Sequence, residues 1–254
     1  MHVDLDHVAL ATRDASPAIH TLVTELSGTV LFGGHGVGFR PMQILLGDAE
    51  QGMRVELLEP WLTGENDFLD RFLTQHGQGP HHLTFKVDSL DDALDRVRSA
   101  GLTPVNVDRS DDEWQEAFLL PREANGTVVQ LAQAVDIFPS RADLLDHVRR
   151  HGPHTHPQWW IDPPAPTGVR AILDRVVIVS PSPDLACRLF ADILQGNVEH
   201  EDRGVVDLVW PSGARLRIVT DTTMPPGVDH LAGRINAPAR ELDIAGTRVV
   251  LEPC

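Results

Sequence analysis

The chain has 254 residues, long enough to bury a real core as one large domain or two small ones, and its composition is that of an ordinary soluble globular protein. With 37 Asp and Glu against 21 Lys and Arg, its formal charge of -16 repels phosphate backbones and anionic membranes, which sets nucleic acid aside as a partner. Cys187 and Cys254 are the only cysteines, so neither a disulfide framework nor a thiolate zinc site can be built, and tyrosine is absent altogether.

The N-terminus has no basic stretch followed by an apolar core, and no apolar run approaches the roughly 20 residues that span a bilayer. The chain is therefore read as cytoplasmic, with no membrane partner. VDLDHVALA predicts a strand over about 3–11, with Val3, Leu5, His7, Ala9 and Ala11 sharing a face. Asp14 or Ser16 is placed to cap an amphipathic helix carrying Ile19, Leu22, Val23 and Leu26, which Gly28 ends. Strand-like runs follow from Thr29, Pro41 and Arg54, the first two separated by the glycine-rich loop GGHGVGFR. A short helix then presents Phe68, Leu69, Phe72 and Leu73 on one side.

From His82 to Val87 the chain alternates, with His82, Thr84 and Lys86 on one face and Leu83, Phe85 and Val87 on the other, the mark of a half-buried strand. The period then changes: Leu90, Ala93, Leu94 and Val97 follow helical spacing, with Asp88 or Ser89 to cap the start and Gly101 to stop it. Further strands are predicted from Thr103, Glu116 and Thr127. The order strand, helix, three strands thus occurs twice, an internal repeat.

After Val135 the pattern lapses into a short helix, ADLLDHVRRHG, and a proline-rich extended stretch, HTHPQWWIDPPAPTG. The histidines here, His147, His151, His154 and His156, have no carboxylate or cysteine at ligand spacing and read as solvated residues. LDRVVIVSPSPDLACRLFADIL then echoes LDHVALATRDASPAIHTLVTEL from the start, and VVDLVWPSG, ARLRIVTD, GVDHLAGRI and GTRVVLEP mirror the later strands in shortened form. The division that follows is a two-module domain over 1–134, a helix and linker over 135–169, and a degenerate, shortened copy over 170–254.

At LDHVALATRD, VELLEP, GPHHLTFKVDSLDDALDRV and NGTVVQLAQ the sequence resembles the vicinal oxygen chelate superfamily, with a likeness to the methylmalonyl-CoA epimerases and, more distantly, to glyoxalase I. The resemblance implies an α+β fold of paired βαβββ modules whose sheets curve into a cup for a divalent metal. Carried over position by position, it puts the metal ligands at His7, Glu56, His82 and Gln130. Two imidazoles, a carboxylate and an amide oxygen suit Co, Ni, Mn, Fe or Zn. The implied activity is metal-assisted proton transfer, of isomerase, epimerase or glyoxalase-type lyase character, on a small carbonyl or acyl-thioester substrate. Taken singly, each of these residues reads as an ordinary strand residue; four at matching motif positions read as a site.

One departure bears on the chemistry. The two glutamates with which the epimerases are thought to pass a proton fall at Gln43 and Gln130, and an amide neither takes up nor releases a proton at useful pH. His81, Glu59, Lys86 and Glu116 lie near the motifs, with facing that the sequence leaves open. Two other readings are weighed. One is an Fe(II) dioxygenase using His7, His82 and Glu56, against which stands the missing tyrosine on which such members usually rely. The other is a metal-free, drug-sequestering type of binder, which the pair Trp159 and Trp160 would suit. The second half carries Arg175, Arg217 and Val250 where the first has His7, Glu56 and Gln130, and keeps only His230, so it is read as scaffold, a lid or a homodimer surface.

Overall fold

A computed structural model describes residues 2–135, 137–155, 166 and 168–254; His156, Trp159 and Trp160 fall outside these. The α+β reading is borne out. Strand β1 (Val3–Ala11) is followed by α1 (Ser16–Ile19), which widens into π-helical turns over His20–Glu25, then by β2 (Thr29–Gly33), β3 (Gly38–Gly47) and β4 (Gly52–Trp61). Helix α2 (Phe68–His76) leads to the second module: β5 (Gly79–Val87), α3 (Leu90–Ser99), β6 (Val105–Asp108), β7 (Trp114–Leu119) and β8 (Val128–Ala134).

The helix starts follow local chemistry only in part. Ser89 caps α3, its hydroxyl accepting from the Asp92 N–H at 3.2 Å. At α1 the Asp14 side chain accepts from the Ser16 N–H, while the Ala15 N–H is taken at 2.8 Å by Glu59, forty-four residues away on β4, a partner no local pattern shows.

Helix α4 (Arg141–His151) and the two-residue strand β9 (His154–Thr155) come next. β9 pairs in parallel with β2, Phe32 against His154, so the start of the stretch read as a linker is an edge strand. The third module is complete: β10 (Ala171–Ser180), α5 (Pro183–Cys187) with π-helical turns over Arg188–Ile193, β11 (Asn197–Asp202), β12 (Val205–Val209) and β13 (Arg215–Thr220). The fourth, β14 (Gly227–Ile235), β15 (Arg240–Ile244) and β16 (Thr247–Pro253), lacks its helix, and this is where the second half is shortened.

Among the described residues the first two modules and β9 form one sheet in the order β6-β7-β8-β5-β1-β4-β3-β2-β9, and the last two form another, β11-β12-β13-β10-β14-β16-β15. In both, the first strand of each module lies at the middle. Parallel pairs β5/β8, β10/β13 and β14/β16 repeat the same step in successive modules.

Backbone contacts group the chain into two compact units, 1–7 with 82–137 and 175–230, and 8–81 with 138–174 and 231–254. The divisions fall beside His7, His82, Arg175 and His230, the same register of each module's first strand, which displays the fourfold repeat directly. In the first unit Phe85 of β5 meets Phe190 (ring centroids 6.1 Å) and Trp210 (5.3 Å). The β7–β8 turn of this unit needs glycine at 126, where φ is +80° and a Cβ would lie 2.1 Å from the Pro226 carbonyl oxygen. In the second unit Leu10, Leu22, Leu46, Val55, Leu173 and Leu231 converge. There α2 covers Ala9, Ala11 and Leu58 with Leu69 and Leu73, and α4 covers Leu31 and Leu45 with Leu144, Leu145 and Val148. No helix among the described residues is long and apolar enough to cross a membrane.

Candidate metal centre

β5, β1 and β4 are consecutive in the nine-stranded sheet, and each contributes one polar side chain: His82, His7 and Glu56. Their potential ligand atoms all lie within 4.8 Å of one another, and the side chains are buried, with 6, 1 and 7% of the residue exposed. Buried titratable groups so close together in a strand-rich core demand a compensating chemistry. The imidazole rings of His7 and His82 meet edge-on at 5.9 Å, and Phe118 of β7 closes on His82 with its ring centroid 6.4 Å away.

Each ligand candidate is held by a further partner. Asp6, next to His7 in sequence, reaches its Nδ1 at 2.8 Å despite the alternation of the strand, so Nδ1 carries the proton and Nε2 is turned toward the cluster. Gln43 sits directly across β3/β4 from Glu56 and its Nε2 donates to Glu56 Oε1 at 3.2 Å. Gln130 lies opposite Thr84 in the β5/β8 ladder and opposite Phe118 in the β7/β8 ladder. Its Oε1 accepts from the Thr84 hydroxyl at 2.5 Å, and its Nε2 donates to Glu116 Oε2 at 2.6 Å. The same Thr84 oxygen is 2.9 Å from His7 Nε2. The structure therefore gathers His7, Glu56 and His82, and joins Gln130 to His7 through Thr84.

The groups whose facing the sequence left open now sort themselves. Glu59 accepts from the Arg40 guanidinium and the Ala15 N–H and lies on the reverse face of β4 from Glu56. His81 packs its ring 4.5 Å from Phe72, and burial drives its pKa down to about 4, with the Glu56 charge opposing, so it is a neutral ring among aromatics. Lys86 falls, by register, on the same face as Thr84. Glu116 faces the same way as Phe118 and Gln130, and Trp114 Nε1 donates to it at 2.8 Å. Thr84 and Asp6 were missed in the sequence; the period of two that placed His82 also placed Thr84 beside it, whereas nothing in an alternating strand predicts that Asp6 would turn to its neighbour.

The second sheet repeats the registers with other chemistry. Arg217 holds Asp207, its cross-strand partner, with two bonds of 2.7 Å, and Arg175 adds a third at 3.3 Å. Asp207 stands opposite Arg217 in the same relation that Gln43 bears to Glu56, so a fixed ion pair replaces that polar pair. The Arg217 guanidinium bonded to Asp207 holds its carboxyl below the usual range, with the Arg175 charge adding to the effect. A carboxylate whose folded pKa is depressed stabilises the protein above its unfolded pKa of about 3.9, and this contribution disappears as pH falls through the folded value. Urea unfolding at a series of pH values between 5 and 3 should accordingly show wild type losing more stability than Asp207→Asn over that interval; parallel losses would contradict the assignment.

Residues 6–118 match the family model of the Glyoxalase/Bleomycin resistance protein/Dioxygenase superfamily. No curated protein matches the chain. Among solved structures, a hypothetical protein from Staphylococcus aureus aligns over 100% of both chains with a TM-score of 0.64 at 12% identity, and the full-length fold is shared with it. A Streptomyces coelicolor methylmalonyl-CoA epimerase in complex with 2-nitronate-propionyl-CoA is 20% identical over 54% of this chain and 100% of its own, with a TM-score of 0.47. A methylmalonyl-CoA epimerase from Mycobacterium tuberculosis is 26% identical over 52% of this chain and 89% of its own, with a TM-score of 0.45.

The donor set fits a divalent metal. Two imidazoles and one carboxylate converge within 4.8 Å with no cationic side chain among them. Alongside, the Thr84 hydroxyl lies 2.9 Å from His7 Nε2 and donates to Gln130 Oε1 at 2.5 Å. Outer carboxylates such as Asp6 are the usual means of fixing a ligating histidine.

Proposed function

We propose that the domain over 6–118, with Gln130 from β8, is a metal-dependent enzyme that moves a proton on a small carbonyl compound or acyl thioester, as an isomerase or epimerase or as a glyoxalase-type lyase. The observation that carries this reading is the buried cluster of His7, Glu56 and His82 on adjacent strands. In this reading these three, with the amide oxygen of Gln130, hold a divalent Co, Ni, Mn, Fe or Zn ion. When bound, such an ion supplies Lewis acidity to a substrate carbonyl oxygen.

The chain's own residues have separable tasks. Glu56 is the single anionic donor, and Gln43 keeps its carboxylate in place by donating to Oε1. Asp6 fixes the His7 tautomer. Gln43 and Gln130 orient and bind; being amides, they leave the proton itself to another group. Phe118 sets an aromatic ring against His82, an apolar neighbour that favours a compact organic substrate over a hydrated ion.

The test is solvent exchange at the substrate carbon. Protein reconstituted with Co²⁺ or Mn²⁺ is incubated in D₂O with a panel of acyl thioesters and dicarbonyl compounds bearing an acidic α-hydrogen, and deuterium uptake is followed by NMR. Metal-dependent uptake with at least one substrate is expected. Protein that holds its metal and yet gives no uptake above that of free metal with any of the panel would end the proton-transfer reading.

A further inference from the structure

Position 130 carries an amide, and the structure shows what surrounds it. An amide has two unlike ends: Oε1 can ligate a cation, and Nε2, with its two protons, cannot. Which end turns inward decides whether Gln130 is a ligand. On one side of the Gln130 amide stands the Thr84 hydroxyl, 2.5 Å from Oε1 and shared with His7; on the other stands the Glu116 carboxylate, 2.6 Å from Nε2. An ionised carboxylate accepts and cannot donate, so the reversed amide would set oxygen against oxygen there. Glu116 is itself anchored, since Trp114, two residues before it on β7, donates its indole N–H to the same Oε2 at 2.8 Å. The β7/β8 ladder sets the arrangement: Phe118 pairs with Gln130 and Glu116 with Ala132, which puts the carboxylate one step along the same face from the amide.

We infer that Glu116 is a positioning residue that locks the Gln130 amide with its oxygen turned toward Thr84 and His7, so that Glu116–Gln130 acts as an amide ligand held by an outer anion. The inference rests on the reading of Gln130 as a ligand beside His7, Glu56 and His82. With Glu116 in place, a second carboxylate at 130 would stand against it at hydrogen-bond distance, whereas an amide satisfies it.

The test has one readout with metal and one without. Affinity for Mn²⁺ is measured by calorimetry in wild type, Glu116→Ala and Glu116→Gln. Glu116→Ala is expected to bind about ten- to a hundredfold more weakly, the usual effect of removing an outer partner of a ligand. Glu116→Gln, which can still offer an oxygen to the Gln130 N–H, should recover most of that loss, as a merely space-filling role would not require. Without metal, the side-chain NH₂ signals of Gln130, identified by their disappearance in Gln130→Glu, should exchange slowly with solvent in wild type and faster in Glu116→Ala. Equal affinities together with unchanged exchange would overturn the inference. Wild type that binds no Mn²⁺ while showing the exchange difference would retire the metal reading and leave the Glu116–Gln130 lock standing.

Discussion

Glu56→Gln should lose metal affinity by more than about a hundredfold, which is more than about 2.8 kcal/mol, while the metal-free protein becomes no less stable. The two signs come from one side chain. Glu56 is the only anionic member of the cluster, so its replacement leaves a divalent ion with neutral donors alone. The same carboxylate is buried beside two imidazoles with an amide donor from Gln43 at 3.2 Å, and glutamine keeps an oxygen to accept that bond without the cost of desolvating a charge. Calorimetry with Mn²⁺ and thermal unfolding in chelator measure the two halves. A variant that binds metal as well as wild type does would remove Glu56 from the ligand set; one that unfolds much earlier without metal would make Glu56 a structural residue.

The largest effect on stability is expected at Trp210. Its side chain is buried, lies at 5.3 Å against Phe85, fills the space over Gly196, where a Cβ would come within 2.7 Å of the indole, and donates Nε1–H to the Leu194 carbonyl at 2.7 Å. Trp210→Ala should cost about 3–5 kcal/mol, which for a chain of this length is a fall in melting temperature of roughly 6–20 °C. Trp210→Phe keeps an aromatic ring and leaves the Leu194 carbonyl without the indole donor, an expected loss of about 1–2 kcal/mol. A melting temperature unchanged in Trp210→Ala would mean that the contact between β5 and the third module carries no stability. Phe85 alternates with Thr84 and Lys86 on β5, so this packing lies behind the polar face rather than on it.

Much of this was legible in one dimension. The period of two over His82–Val87 and the period of 3.6 over Leu90–Val97 gave β5 and α3, and the echo of LDHVALATRD in LDRVVIVSPS gave the repeat that the two sheets display. What escaped depends on the register between paired strands. Alternation says that Glu116 and Phe118 share a face; only the register against β8 puts Glu116 beside Gln130. The register of β12 on β13 likewise brings Asp207 opposite Arg217, and no spacing in the sequence links them. α1 was legible as a helix and α5 only through the echo of the first module, yet their π-helical ends were not, because an apolar face spaced at 3.6 looks the same over two turns as one spaced slightly wider.

The most direct measurement is the metal content of the purified protein, before and after reconstitution, for wild type, His7→Ala and His82→Ala, by inductively coupled plasma mass spectrometry. Wild type should hold close to one divalent transition metal per chain and both variants should hold far less, since each imidazole is one of the three converging donors. Wild type that stays empty after reconstitution, or variants that keep the full complement, would contradict the assignment of a metal centre to His7, Glu56 and His82.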